Sequence, residues 1–207
     1  MRVDIHCWAV GEVRLHRCLE RSLACGVSLP DYAAIWSLFT LRLTRDGPNQ
    51  KWAGDISYIW TNEGWLYLAV IIDLYSRRVI GWAVSNRMKR DLAIRALDMA
   101  VALRQPPKGC IHHTDRGSQY CSNDYQKLLT KHGFEVSMSG KGNCYDNSMV
   151  ETFFKSIKAE LIWRNRWDTR RQAKGAIFQY INGFYNPRRR HSSLGGKSPL
   201  AFERKAA

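Results

Sequence analysis

The 207-residue chain contains six cysteines, but no two are spaced as C-x-x-C. Without such pairs a zinc ribbon is not indicated, and no dense cysteine pattern points to a disulfide framework. Long hydrophobic runs are missing too. The longest, around Leu66 to Ile72, is far shorter than the ~20 residues a membrane-spanning helix needs. No apolar segment followed by a small-residue cleavage site opens the sequence, so no signal peptide is expected. Internal repeats and a clear interdomain linker are also lacking. These absences fit a protein of the reducing cytoplasm, with a length that suits one domain and a small appendage.

Lysine is absent before Lys51, and negative charge is scarce throughout. Thirty-two Lys and Arg stand against eighteen Asp and Glu, for a net charge of +14, with a pI near 9.8. Residues 1–46 hold six arginines and five acids, so the remaining 161 residues carry +13. A balance of this kind favours nucleic acid or an anionic surface as partner. The opening 46 residues differ in composition from the rest. They allow helices around Val13–Ala24 and Tyr32–Leu43 but carry no recognisable motif.

From Asn49 the pattern sharpens. Lys51–Trp60 alternates as a half-buried strand, and Trp65–Leu74 is a nearly continuous apolar run, the mark of a central strand. Asn62-Glu63-Gly64 supplies turn chemistry between them, and Arg78–Ser85 gives a third strand. Asp91 opens a helix with Ala93, Ala96, Leu97, Ala100 and Val101 on one stripe, ended by Pro106-Pro107. A strand at Gly109–Thr114, a helix near Asn123–His132 and a strand at Phe134–Met138 follow. Helix Met149–Trp163 comes next. A last long helix, capped by Asp168 or Thr169, directs Ala173, Ile177, Tyr180, Ile181 and Phe184 to the core. Trp52, Trp65 and Trp82 read as core residues. This order predicts an α/β, ribonuclease-H-like fold: a mixed five-stranded sheet flanked by helices. Composition and periodicity alone also allow other mixed sheets.

Three carboxylates stand out against this background. Asp55 interrupts the alternation of KWAGDISYIW, where a carboxylate gains nothing from packing. Asp115 ends CIHHTD and leads into a glycine turn. Glu151 opens a helix after the loop SGKGNCYDNS. Projected to one place, the three would form an all-oxygen cage for magnesium or manganese, and in a basic protein the natural substrate is a phosphodiester. Spacing does not discriminate here. The Asp115–Glu151 interval is shared by Asp55–Asp91 and by Asp124–Glu160. Asp91 and Asp124, however, fall at helix starts, where capping or the macrodipole accounts for them.

WAGDISYI, VIIDLYSRRVIGWA, HHTDRGSQY, GNCYDNSMVETFFKSIKAEL and YINGFYNPRRRHSSLGGKSP together resemble an insertion-sequence DDE transposase with a retroviral-integrase-like core. The resemblance is to the type made by frameshifting between two reading frames, and it covers about residues 47–207. It implies that Asp55, Asp115 and Glu151 are catalytic and hold two Mg2+ or Mn2+ ions, with Asp55 bridging them. It further implies cleavage and 3′-hydroxyl strand transfer on DNA, as a homo-oligomer, in a nucleoid-associated setting. Lys155 and Lys158 follow Glu151 on one helix face and are expected to contact DNA phosphates. Arg188, Arg189, Arg190 and His191 form an unbroken basic run expected to contact DNA as well. Residues 1–46 depart from the family, which usually carries end-recognition elements there. A truncated or out-of-frame segment is the expectation.

Each of these residues also has a plainer role. Ser148–Glu151 matches a capping box, in which the glutamate only bonds back to the helix start. Asp73 lies at a strand end beside Ser76 and Arg77, suited to a turn or an arginine pair. His112 and His113 lack partners at a familiar zinc spacing, although His113 could line the site's rim. Gly140–Gly142 is not a phosphate-binding loop and reads as a mobile loop beside the site. The basic run could be a solvated patch. At the level of function the rivals are a metal-dependent nuclease of the same fold, and a non-transposing DNA-binding remnant or transposition inhibitor.

Overall fold

A computed structural model describes residues 47–115, 117–138 and 148–206, all within the second of the two units into which the chain divides, Arg45–Ala207. Expectations for residues 1–46 and for the Gly140–Gly142 loop lie outside the described residues.

Strands β1 (Lys51–Thr61) and β2 (Gly64–Asp73) form an antiparallel hairpin. Gly64 closes its turn at φ +101°, a conformation that disfavours side chains, and the Thr61 hydroxyl donates to the Gly64 carbonyl at 2.6 Å. β3 (Val79–Ser85) pairs antiparallel with β2. Helix α1 (Arg90–Arg104) then crosses to β4 (Ile111–Thr114), which lies parallel to β1. Helix α2 (Asn123–Lys131) leads to β5 (Glu135–Met138), parallel to β4. The sheet order is β3-β2-β1-β4-β5. This is the mixed five-stranded, ribonuclease-H-like sheet that the element order predicts.

The sheet separates two cores. On one face Ala53, Ile59, Leu68, Val70 and Ile72 meet Val150, Phe153 and Ile157 of α3 (Ser148–Glu160) and Ala173 and Ile177 of α4 (Arg170–Phe178). On the other, Trp52, Ala69 and Ile71 meet the Leu92, Ala96 and Leu97 stripe of α1 and Tyr125 and Leu129 of α2. β2 is buried on both faces, which explains its continuous apolar run. A side chain on Gly81 would collide with the Ala96 carbonyl, so glycine is what lets α1 lie flat on β3. Among the described residues no helix is long and apolar enough to cross a membrane.

Three local expectations need correction. Lys89, not Asp91, is the N-cap of α1; Asp91 sits in the first turn, where its charge offsets the helix dipole. The last long helix changes pitch, because a π-helical stretch (Gln179–Tyr185) follows α4. Its wider turn brings Tyr185 inward after Ile181, leaving Phe184 43% exposed. Trp65 is likewise 43% exposed, since it lies at the hairpin end against Tyr58 and Trp60. The segment after Asn186 also packs into the fold, with Leu194 buried. Helix α5 (Pro199–Ala206) places Glu203 against Ser76, Arg78 and Arg104.

Candidate active site where two parallel strands part

The parallel pairing of β1 and β4 ends at Gly54 opposite Thr114. Asp55 and Asp115 are the next residues on their respective chains. β1 continues past this point with only β2 beside it, so the two aspartates flank an opening at the carboxyl ends of parallel strands, where ligands of open α/β sheets bind. Asp55 shares its strand face with Ala53 and Ile59, which belong to the core beneath α3. That parity turns its carboxylate toward the helix carrying Glu151.

α3 is fixed by Val150, Phe153, Phe154 and Ile157, all buried on the sheet. Glu151, in its first turn, is exposed beside them. Among the described residues no hydrogen bond joins Glu151 to Ser148. Asp115 is also exposed. Its Oδ1 accepts the Gly117 N–H at 2.9 Å, and a side chain at Gly117 would crowd that oxygen.

Asp55 is the electrostatic centre of the group. Burial, chiefly, pushes its pKa up to about 6, against the Ile56 N–H bonded to its Oδ1 at 2.7 Å. Asp115 and Glu151 raise it further, and Lys158 opposes them. The three predicted carboxylates therefore share one electrostatic neighbourhood. None of them forms an ion pair among the described residues. No three His, Cys, Asp or Glu side chains among those residues converge on one point as a ready ligand set. The chemistry of the donors still suits a hard cation: carboxylate oxygens and crowded negative charge, with Lys158 as the cation acting on Asp55.

The predicted basic residues separate into groups. Lys155 is exposed on α3. Lys158 lies over the Tyr58 ring, 5.2 Å from its centroid. Arg188 and Arg190 are exposed, whereas Arg189 is bound to Glu160 at 2.6 Å. His191 is half-buried against Tyr185, and its pKa falls to about 4, first from burial and then from Arg189 and Arg77. It is neutral at physiological pH. The run thus offers two outward charges rather than four.

Other candidates are used within the fold. Asp73 accepts the Asn49 and Tyr75 N–H groups at 2.9 Å and lies 3.5 Å from Arg104. The His112 Nε2 meets the Tyr125 hydroxyl at 2.7 Å, and His113 Nδ1 meets the Ser137 hydroxyl at 3.0 Å. Tyr58, Lys158's partner, is a residue that the sequence did not single out. Only its place in an otherwise apolar alternation with Trp60 marks it.

Two family models, both described as integrase core domain, match residues 45–144 and 132–199. Transposase InsF for insertion sequence IS3A of Escherichia coli (strain K12) is 56% identical over 159 residues. The chain belongs to the integrase core domain family. The InsF match covers 77% of this chain and 55% of the relative. An IS600 31 kDa protein of Shigella sonnei is 48% identical over 158 residues, 76% of this chain and 58% of that protein. This integrase core therefore spans little more than half the length of the curated relatives it matches. Among solved structures, the simian T-cell lymphotropic virus intasome aligns at a TM-score of 0.62 and 20% identity, covering 77% of this chain and 55% of that one. The HTLV-2 integrase catalytic core domain, in complex with magnesium, aligns at 0.57 and 19%, covering 76% and 97%. These likenesses establish the ribonuclease-H-like fold.

Proposed function

We propose that this chain is the catalytic core of a DNA transposase, cleaving strands at insertion-sequence ends and transferring the freed 3′-hydroxyl to a second phosphodiester. The observation that carries this reading is the placement of Asp55 and Asp115 at the end of the β1–β4 register, with Glu151 on the helix facing Asp55. Membership of the integrase core domain family supports casting these three as the carboxylates of the reaction.

Two divalent cations, magnesium or manganese, held in common by Asp55 and completed by Asp115 and Glu151, would supply activation of the attacking oxygen and stabilisation of the leaving oxygen. The residues themselves do the positioning. The strand fixes Asp55 and the Gly117 N–H orients Asp115. The apolar face of α3 sets Glu151 at the rim. Lys155 and Lys158, one and two turns further along, contact DNA phosphates and add affinity without reading sequence. Arg188 and Arg190 extend that basic surface. Water as nucleophile gives cleavage; a 3′-hydroxyl gives strand transfer. Two ends must be joined, so the working form is a homo-oligomer on DNA, in the cytoplasm at the nucleoid. The magnesium of the HTLV-2 core and the simian intasome support the metal and DNA parts of this reading.

The test is disintegration, the reversal of strand transfer on a branched DNA, which needs only the core. Rejoining with magnesium or manganese, abolished by chelator and by Glu151→Gln, supports the reading. Tight DNA binding without rejoining in either protein would replace it with the non-transposing remnant or inhibitor. Hydrolysis without rejoining would favour the nuclease.

A further inference from the structure

A groove of about 660 Å³ lies between the end of the β1–β2 hairpin and the 3-10 turn Ile162–Arg164 that follows α3. Its walls are unusual for a protein surface. Tyr58 and Trp60 are each 58% exposed, Trp65 is 43% exposed and Trp163 is 73% exposed. Large exposed apolar patches on a soluble protein mark contact sites. Trp65 is braced edge-on by Tyr58 and Trp60, at 5.1 and 4.8 Å between ring centroids. Trp163 touches no other ring among the described residues, and its face is open.

The charge of the groove narrows the choice of occupant. Lys158 and Arg166 line it, and no carboxylate does. Aromatic faces alternating with cations suit a chain that brings flat rings and negative charge together. Lys158 also connects the groove to the site, since it is among the groups acting on Asp55. It lies seven residues after Glu151, about 10 Å along the helix. A DNA strand reacting at Asp55 and Glu151 therefore meets this groove within the next few nucleotides.

We propose that the groove holds unpaired nucleotides of the DNA strand next to the reacting phosphate, with a base stacked on Trp163 and the backbone followed by Lys158 and Arg166. The inference rests on the proposed function, because it takes DNA as the substrate. It adds that the strand is bound as single strand there, so the duplex is opened beside the site.

The experiment is equilibrium binding in chelator, where no chemistry occurs. The full chain and its Trp163→Ala and Trp163→Phe variants are titrated with a labelled thymidine oligomer of about eight nucleotides. The same chains are titrated with an abasic oligomer of equal length and with a duplex. Stacking predicts that Trp163→Ala weakens thymidine-oligomer binding about 5- to 100-fold, that Trp163→Phe restores most of it, and that quenching of tryptophan fluorescence falls in parallel. The abasic oligomer should bind all three chains equally and more weakly than thymidine binds the parent. Equal binding of thymidine and abasic oligomers by the parent would overturn stacking while leaving the transposase reading intact. So would a Trp163→Ala chain that keeps full affinity but sediments at lower mass, which would assign the groove to a second copy of the chain. Failure of every chain to bind any DNA would overturn both readings. Trp163 is a surface residue, so equal melting temperatures should confirm that the variants are folded.

Discussion

Arg189 grips Glu160 in a two-pronged ion pair, its Nε and Nη2 donating to the carboxylate at 2.9 and 2.6 Å. The Tyr180 hydroxyl donates to the same carboxylate at 2.7 Å. Burial alone would raise the pKa of Glu160, but these bonds outweigh it and hold it below the ordinary range. The middle arginine of the basic run thus ties the π-helical stretch to α3, and its neighbours on either side point outward.

This separates two kinds of arginine by measurement. Arg189→Ala should lower the melting temperature by about 2–4 °C, corresponding to about 1 kcal/mol for a partly exposed bidentate pair. Its effect on the salt dependence of DNA binding should be small. Arg188→Ala with Arg190→Ala should do the reverse, leaving melting unchanged and flattening the salt slope. A salt slope that falls as steeply in Arg189→Ala would show that the ion pair opens to meet DNA.

On α3, Lys155→Ala with Lys158→Ala should weaken DNA binding for all sequences alike. The slope of log affinity against log salt should shrink by about 1.8, or ~0.9 for each lost phosphate contact. An unchanged slope would remove both lysines from the interface.

Asp55 carries a linkage that chelation should expose. Its folded pKa, raised to about 6 from an ordinary 3.8, favours the protonated form in the native state. The resulting stability is fully present below about pH 4 and lost as pH rises through 6. In chelator at pH 8, Asp55→Asn should therefore be more stable than the parent by on the order of 2 kcal/mol, or ~4–8 °C. At pH 4 the two should melt together. Magnesium at pH 8 should stabilise the parent and not the variant. Equal magnesium shifts in both proteins would count against Asp55 as the shared ligand.

His112 should act in the opposite direction. Burial, with His113 adding to it, pushes its pKa down to about 3, whereas an unfolded histidine titrates near 6.5. Its contribution is present above 6.5 and lost as pH falls toward the folded value, at up to ~1.4 kcal/mol per pH unit. Urea melts of His112→Gln between pH 6 and 4 should show a slope shallower by about one proton. An identical slope in parent and variant would mean that His112 does not remain neutral in the folded protein.

Much of this was legible in the sequence because local patterning carried it. The double-sided burial of β2 is written as an unbroken apolar run, and Asp55 is conspicuous because it breaks an alternation. The family motifs selected Asp115 and Glu151 where spacing could not. What the sequence could not convey depended on pairing at a distance. The meeting of Asp55 with Asp115 follows from a parallel register between strands joined through β2, β3 and α1. The Arg189–Glu160 pair spans 29 residues and crosses a change of helical pitch. The same change of pitch defeated a 3.6-residue count and turned Phe184 outward. Trp65 belongs by composition to a buried strand, but it stands at the hairpin end, where only Tyr58 and Trp60 cover it.

The contacts of Glu203 with Ser76, Arg78 and Arg104 have a consequence in time. They join positions 99 to 127 residues apart, among the longest loops this core can close, and long loops are costly to close before other contacts reward them. The clamp on the β3 edge should therefore form late, once the sheet already holds Arg78 and Arg104 in place. Without Glu203, Arg78 would lose its carboxylate partner and Arg104 would keep only Asp73.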